Sequence, residues 1–306
     1  MKIATYNVEN LFDLEKQGYK YKEYKPYGKS LWNKKNYKIK LNNLSKVIKD
    51  IDADIIALQE IHSKKALLDL RQTLKQKGLY YQYYSIADKK TTAIKVAILS
   101  KIPFVYSKEL QVTYSYKYRN ILETKFKINN KELYLFTNHW KSKAGPESMR
   151  IVSAKKLRSR VDEIGYDKNI ILLGDFNSDY EEYIKFKRKR KHNDTNGKTG
   201  INHVLRSIKT SEKSFYNLWY DTNKENRYTY IYRGKKEALD NILISQSLLN
   251  SKGISYIKNT ITNFDEKYLF KKRRIYRWKM SYGKVKKHKG KGYSDHLAVI
   301  AKFRVK

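Results

Sequence analysis

Several short apolar runs in this chain end in a carboxylate, an amide or a histidine instead of an ordinary turn residue, and this pattern constrains the fold more than any other feature. Ile3 to Tyr6 runs into Asn7-Val8-Glu9-Asn10, and Asp54 to Leu58 into Gln59-Glu60. Leu133 to Thr137 leads to Asn138-His139-Trp140-Lys141-Ser142, and Ile170 to Leu173 to Gly174-Asp175-Phe176-Asn177-Ser178. Leu239-Asp240-Asn241 opens a further run, and Ser294-Asp295-His296 precedes the last one. Runs of four to eight residues rich in Ile, Leu and Val read as strands buried on both faces. Strand ends in an α/β fold point their side chains into a shared crevice, so groups far apart in sequence can converge. A single Asp after an apolar run is ordinarily a cap or a turn residue, and a single histidine is ordinarily a satisfied core residue. Six such endings with matching chemistry predict one site.

Strands are expected at Lys2–Tyr6, Asp54–Leu58, Val96–Leu99, Leu133–Thr137, Ile170–Leu173, Asn241–Ile244 and Ala298–Phe303. Ile39, Leu41, Leu44, Val47, Ile48 and Ile51 fall at helical spacing, which predicts a helix over Tyr37–Ile51, with others at Lys64–Lys77 and Ser148–Ile164. The pattern is mixed α/β with helices covering sheets. No repeat and no Pro/Gly/Ser linker divides the 306 residues, so one domain is expected. Three charged stretches, 13–40, 185–198 and 267–291, read as basic loop insertions. The last carries 11 Lys or Arg and no acid between Lys271 and Lys291, and it leads directly into Ser294-Asp295-His296.

Charge narrows the partner. Lys and Arg number 67 against 30 Asp and Glu, a formal net charge of +37, which fits a polyanion. Nucleic acid comes first, because a phosphate chain rewards many distributed cations through counterion release; an anionic membrane would be attracted too. The 28 tyrosines, several interleaved with lysine as in Tyr19, Lys20, Tyr21 and Lys22, suit base stacking beside backbone contact. With no cysteine, disulfides, thiolate metal sites and a cysteine nucleophile are excluded. No stretch has the length and apolarity of a membrane span. The chain reads as a monomer without a stable protein partner, cytoplasmic as it stands, or secreted or periplasmic if a leader has been removed.

The ordered motifs Thr-Tyr-Asn-Val-Glu-Asn (5–10), Gln-Glu (59–60), Asn-His-Trp (138–140), Gly-Asp-Phe-Asn-Ser (174–178), Leu-Asp (239–240) and Ser-Asp-His (294–296) closely resemble those of the endonuclease/exonuclease/phosphatase superfamily, the deoxyribonuclease I-like group, including its bacterial nucleases. The resemblance spans nearly the whole chain. It implies a four-layer αββα sandwich, two packed mixed sheets flanked by helices, and metal-assisted hydrolysis of a phosphate ester. Carried over motif by motif, it makes Glu60 the principal Mg²⁺ ligand, with Asn7 and Asp295 beside it, and Asp240 and His296 an acid-histidine pair. It sets Asp175 and Asn177 against the reacting phosphate and its nucleophile, with His139 across the scissile group.

Mg²⁺ suits a site with few carboxylates, with Mn²⁺ or Ca²⁺ as alternatives, whereas zinc is disfavoured without a His- or Cys-rich set. Either His296 or Asp175 could take the proton of the attacking water. Arg119 and Lys141 are candidate phosphate contacts. The expected activity is that of a magnesium-dependent nuclease acting on DNA first. A phosphoinositide- or sphingomyelin-directed phosphoesterase and a noncatalytic nucleic-acid-binding protein are the alternatives.

Overall fold

The computed structural model describes residues 1–186, 192–208, 211–250 and 253–306. The first half of the chain contains β1 (Lys2–Leu11), α1 (Lys34–Ile51), β2 (Ile55–Ile61), α2 (Lys64–Gln76), β3 (Tyr83–Ile86), β4 (Lys95–Ser100), β5 (Phe104–Leu110), β6 (Ile121–Ile128), β7 (Lys131–His139), α3 (Glu147–Ile164) and β8 (Ile170–Asp175). The rest adds β9 (Phe215–Asn217), the hairpin β10 (Tyr230–Tyr232) and β11 (Lys235–Glu237), β12 (Asp240–Ser245), β13 (Ile254–Tyr256), β14 (Thr262–Asn263), the small pair β15 (Phe270–Lys271) and β16 (Arg274–Ile275), and β17 (Val299–Val305).

Two mixed sheets carry thirteen of these strands, and β10–β11 and β15–β16 form two-stranded pairs of their own. The first runs β13-β17-β1-β2-β4-β3, with β14 also on β17, and the second runs β5-β6-β7-β8-β12-β9. Their facing sides share one apolar layer, in which Ile3, Ile55, Ala57 and Val96 meet Leu133, Leu135, Ile171, Leu173, Ile242 and Ile244. Alternate residues of the same strands face outward: Ala4, Tyr6, Ile56 and Leu58 pack under Leu44, Val47, Ile48, Leu67 and Leu70 of α1 and α2. On the other side Phe136, Ile170, Leu172 and Leu243 pack under Ala154, Leu157 and Val161 of α3. This is the four-layer αββα sandwich. Because both faces of the central strands are buried, they read as continuous apolar runs instead of alternating ones.

The helices begin where side-chain caps satisfy their free N–H groups. Asn33 accepts from the Asn36 amide, so α1 starts at Lys34, one turn before the apolar spacing becomes visible and inside the stretch expected to be loop. Ser63 caps α2 in the same way at the Ala66 amide. The Lys267–Lys291 stretch is likewise not loop throughout. It contains β15, β16 and a bridge between Met280 and His288, and it is clasped to the first basic stretch. His288 lies against Tyr24 and Trp32, accepts from the Trp278 indole at 2.8 Å through Nδ1, and has Nε2 2.8 Å from the Glu23 carbonyl. Buried aromatics within lysine-rich sequence anchor both insertions. Residues 187–191 of the second basic stretch, 185–198, lie outside the described residues.

Candidate active site

The strand alternation that builds the inter-sheet core continues one step beyond it and places the polar groups. Asn7 follows Ile3 and Thr5, His139 follows Leu135 and Thr137, Asp175 follows Ile171 and Leu173, and Asp240 precedes Ile242, all on the inward face. Register then makes a row of three: Asp175 is paired with His139 of parallel β7 on one side and with Asp240 of antiparallel β12 on the other. Such close packing needs Gly174. Its φ is +131°, and a Cβ there would come within 2.1 Å of the Asn138 carbonyl oxygen.

Glu60 arrives differently. By alternation it would follow Ile56 and Leu58 towards the helices, but its φ of +67° and the register shift between Gln59 and Ile61 turn it back towards Asn7. Glu9 and Asn177 also sit in the left-handed region, at +50° and +48°. Of the fifteen non-glycine residues in this region among the described residues, four, Glu9, Asn10, Glu60 and Asn177, line one cleft.

The groups converge in a cleft of about 560 Å³ whose lining includes Glu9, Glu60, His139, Asp175, Asn177, Asp295 and His296. The Asn7 side-chain NH₂ donates to Asp175 Oδ2 at 3.0 Å and to Glu60 Oε1 at 3.3 Å, while its oxygen accepts from the Glu9 amide at 3.0 Å. His296 Nδ1 lies 2.6 Å from Asp240 Oδ2, which also accepts from the Thr229 hydroxyl at 2.6 Å. His296 Nε2 then faces Asp175 Oδ2 at 4.0 Å, and His139 Nε2 faces the same oxygen at 3.5 Å and Glu60 Oε1 at 3.9 Å. The Asn177 amide donates to Asp175 Oδ1 at 2.8 Å. Two contacts therefore staple the sheets together, Asn7 to Asp175 and His296 to Asp240.

Burial and neighbouring charge separate the two histidines. Burial, reinforced by the Arg119 and His296 charges, holds His139 well below the ordinary imidazole range, so it is neutral. Burial works against charge on His296 too, but the Asp240 carboxylate at hydrogen-bond distance outweighs it and keeps His296 protonated well above that range. Burial, with the Asp240 charge beside it, pushes Asp175 up to about 7, and burial with the Asp295 charge raises Glu60.

Arg119 is half-buried and spends its guanidinium on the backbone, donating to the His139 carbonyl at 3.0 Å and to the Trp140 carbonyl. Among the described residues no hydrogen bond or ion pair joins Lys141 to the cluster. Lys143, which the sequence did not single out, lines the cleft instead and bridges Glu182 and Glu237, each at 2.8 Å. Thr229, Tyr230, Glu9 and Arg277 were also not assigned from sequence. Glu9 lies inside a recognised motif; Arg277 adjoins Trp278, an apolar residue in a basic run and the one sequence sign of a buried anchor.

The donors suit a hard divalent cation. Half-buried Glu60 accepts one long hydrogen bond, and Asp240 Oδ1 has no hydrogen-bond partner among the described residues. Asp175, Asp240 and His296 present ligand atoms within 4.8 Å of one another.

The sequence description of the Endonuclease/Exonuclease/phosphatase family matches residues 2–304. The chain belongs to this family. Its members are phosphoesterases and nucleases that use divalent metals. No functionally curated protein matches the chain significantly. Among solved structures, the chain resembles zebrafish (D. rerio) TDP2 complexed with a single-strand DNA product, at 15% identity and a TM-score of 0.63, covering 100% of this chain and 99% of that one. It also resembles a mannosyl-6-phosphatase from Bacteroides thetaiotaomicron, at 14% identity, a TM-score of 0.62 and 99% coverage of both chains. A family protein from Leptotrichia buccalis matches at 15% identity and a TM-score of 0.59, again with 99% coverage of both. At these identities the likeness shows the fold. Among the described residues no helix is long and apolar enough to cross a membrane.

Proposed function

We propose that this chain is a single catalytic domain that hydrolyses phosphodiesters of nucleic acid, DNA first, with the help of Mg²⁺. The observation that carries this reading is the Asp240–His296 pair facing Asp175, with Glu60 and Asn7 across the same cleft. Glu60, joined by Asp295 and oriented by Asn7, would hold the ion. Bound there, it would neutralise charge that grows on the phosphate and its leaving oxygen.

The chain's own residues supply the rest. Asp240 fixes the His296 tautomer with the proton on Nδ1, and the second imidazolium N–H, on Nε2, is directed into the cleft, where it can donate to a phosphate oxygen. Asp175, raised to about 7 and held by the Asn7 and Asn177 donors, is placed to accept the proton of the attacking water near neutral pH. Neutral His139 can donate from Nε2 without adding charge.

The nucleic-acid reading is supported by the net charge of +37 and by the likeness of this fold to the DNA-complexed TDP2 structure. The mannosyl-6-phosphatase likeness supports a second reading, a sugar phosphomonoesterase. The test is incubation with plasmid DNA, single-stranded DNA, RNA, phosphoinositide vesicles and mannose 6-phosphate, each with Mg²⁺ or chelator. Metal-dependent nucleic-acid cleavage is expected; phosphate release from the sugar or lipid without nucleic-acid cleavage would replace the first reading.

A further inference from the structure

The first-sheet side of the cleft carries three acids, Glu9, Glu60 and Asp295, and they are not equivalent. Both Glu9 carboxylate oxygens are taken: Oε1 accepts from Arg277 through Nε at 2.8 Å and through a second guanidinium nitrogen, and Oε2 accepts from the Trp278 amide at 3.0 Å. That second nitrogen also lies 3.0 Å from Asp295 Oδ2. One guanidinium nitrogen thus stands between two carboxylates. Among the described residues no Lys or Arg pairs with Glu60, which accepts from the Asn7 side chain.

The backbone that carries the guanidinium is anchored, although the Arg277 side chain itself is 48% exposed. Arg277 lies two residues beyond β16, and its neighbour Trp278 is 2% exposed, bonded to His288 and packed near Trp32. Glu9 is itself held at φ +50° and is 3% exposed.

We propose that Arg277 is a positioning residue, a counter-ion that the basic insertion supplies to the cleft, filling the cation position between Glu9 and Asp295 so that a divalent ion enters only on the Glu60 side. The chemistry favours this arrangement: a fixed planar fork satisfies two carboxylates at once and cannot be deprotonated. A second metal there would have to displace an ion pair already made. The inference rests on the cleft being a divalent-metal site, as proposed above.

The test is Mn²⁺ binding to the full chain at neutral pH, read by calorimetry and by the loss of free Mn²⁺ resonance signal. The large positive charge keeps adventitious sites few. Wild type should bind one equivalent, and Glu60→Ala should weaken it at least tenfold. Glu9→Gln, nearly isosteric, should leave stoichiometry and affinity within twofold of wild type. Arg277→Met should gain a second equivalent, which Arg277→Lys should not, and the double variant Arg277→Met/Glu9→Gln should return to one. Two equivalents in wild type, or a tenfold loss in Glu9→Gln, would overturn the proposal even if Arg277→Met failed to fold. No Mn²⁺ binding by folded wild type would overturn the metal-site reading and this inference with it. Phosphodiester hydrolysis, measured separately, reports on the proposed function alone.

Discussion

The two sides of the cleft manage charge in opposite ways. On the second-sheet side, Asp175 lies near His139 and, with Asp240, meets His296, which reaches across from the turn before β17, and the ionisation of these groups is set by their neighbours. On the first-sheet side an external guanidinium neutralises Glu9 and Asp295, while among the described residues Glu60 is hydrogen-bonded by the Asn7 amide and paired with no Lys or Arg. Proton transfer needs groups poised near their titration points, whereas metal binding needs one under-satisfied carboxylate among neutralised ones. The difference suggests that the cleft divides these two tasks between its walls.

Substitutions on the two sides should therefore fail differently. Asp175→Asn or His296→Ala should lower kcat/KM at saturating Mg²⁺ by about a thousandfold or more, with an unchanged far-ultraviolet spectrum. Near-wild-type turnover in either would remove the second-sheet side from the chemistry. Asp240→Asn should cost about a hundredfold, through loss of the His296 tautomer and charge, and should shift the pH-rate profile, which a purely structural defect would not do. Glu60→Gln should instead raise the Mg²⁺ concentration for half-maximal rate by about tenfold or more, with the maximal rate less affected. An unchanged metal titration would place the ion elsewhere.

The same contrast predicts a pH effect on stability in the presence of chelator. Asp175 and Glu9 are both held up to about 7 in the folded chain, by burial and by the acids beside them. A carboxyl whose folded value lies above its unfolded one contributes stability that is present at low pH and lost as pH rises through the folded value. The chelated protein should therefore melt lower at pH 7.5 than at pH 5.5. Asp175→Asn should flatten this slope and raise the melting temperature at pH 7.5 by about 5 °C, and Mg²⁺ should stabilise wild type more than the variant. A slope of the opposite sign in wild type would contradict these assignments. Lys141→Ala, at a residue with no bond to the cluster, should change kcat/KM by less than about twofold.

Much of this cleft was legible in the sequence because strand ends are local events. An apolar run stopping at Asp175 or His139 can be seen without knowing its partner, and once strands pair, register does the rest. The helices showed themselves through spacing, except for the first turn of α1, where Asn33 and not an apolar residue sets the start. The strands β3 and β5 were not legible, since Tyr83–Ile86 and Phe104–Leu110 are only partly buried edge strands. Arg277 was hidden for another reason: its importance lies in a partner far along the chain, Glu9, 268 residues away. In a run of 11 basic residues, charge alone does not distinguish the one that turns inward.

The most direct measurement is hydrolysis of the small chromogenic diester bis(p-nitrophenyl) phosphate by wild type and Asp175→Asn, each with Mg²⁺ and with chelator. The account predicts p-nitrophenol release by wild type only with metal, and by the variant in neither condition. Metal-independent release by wild type, or comparable release by the variant, would contradict it.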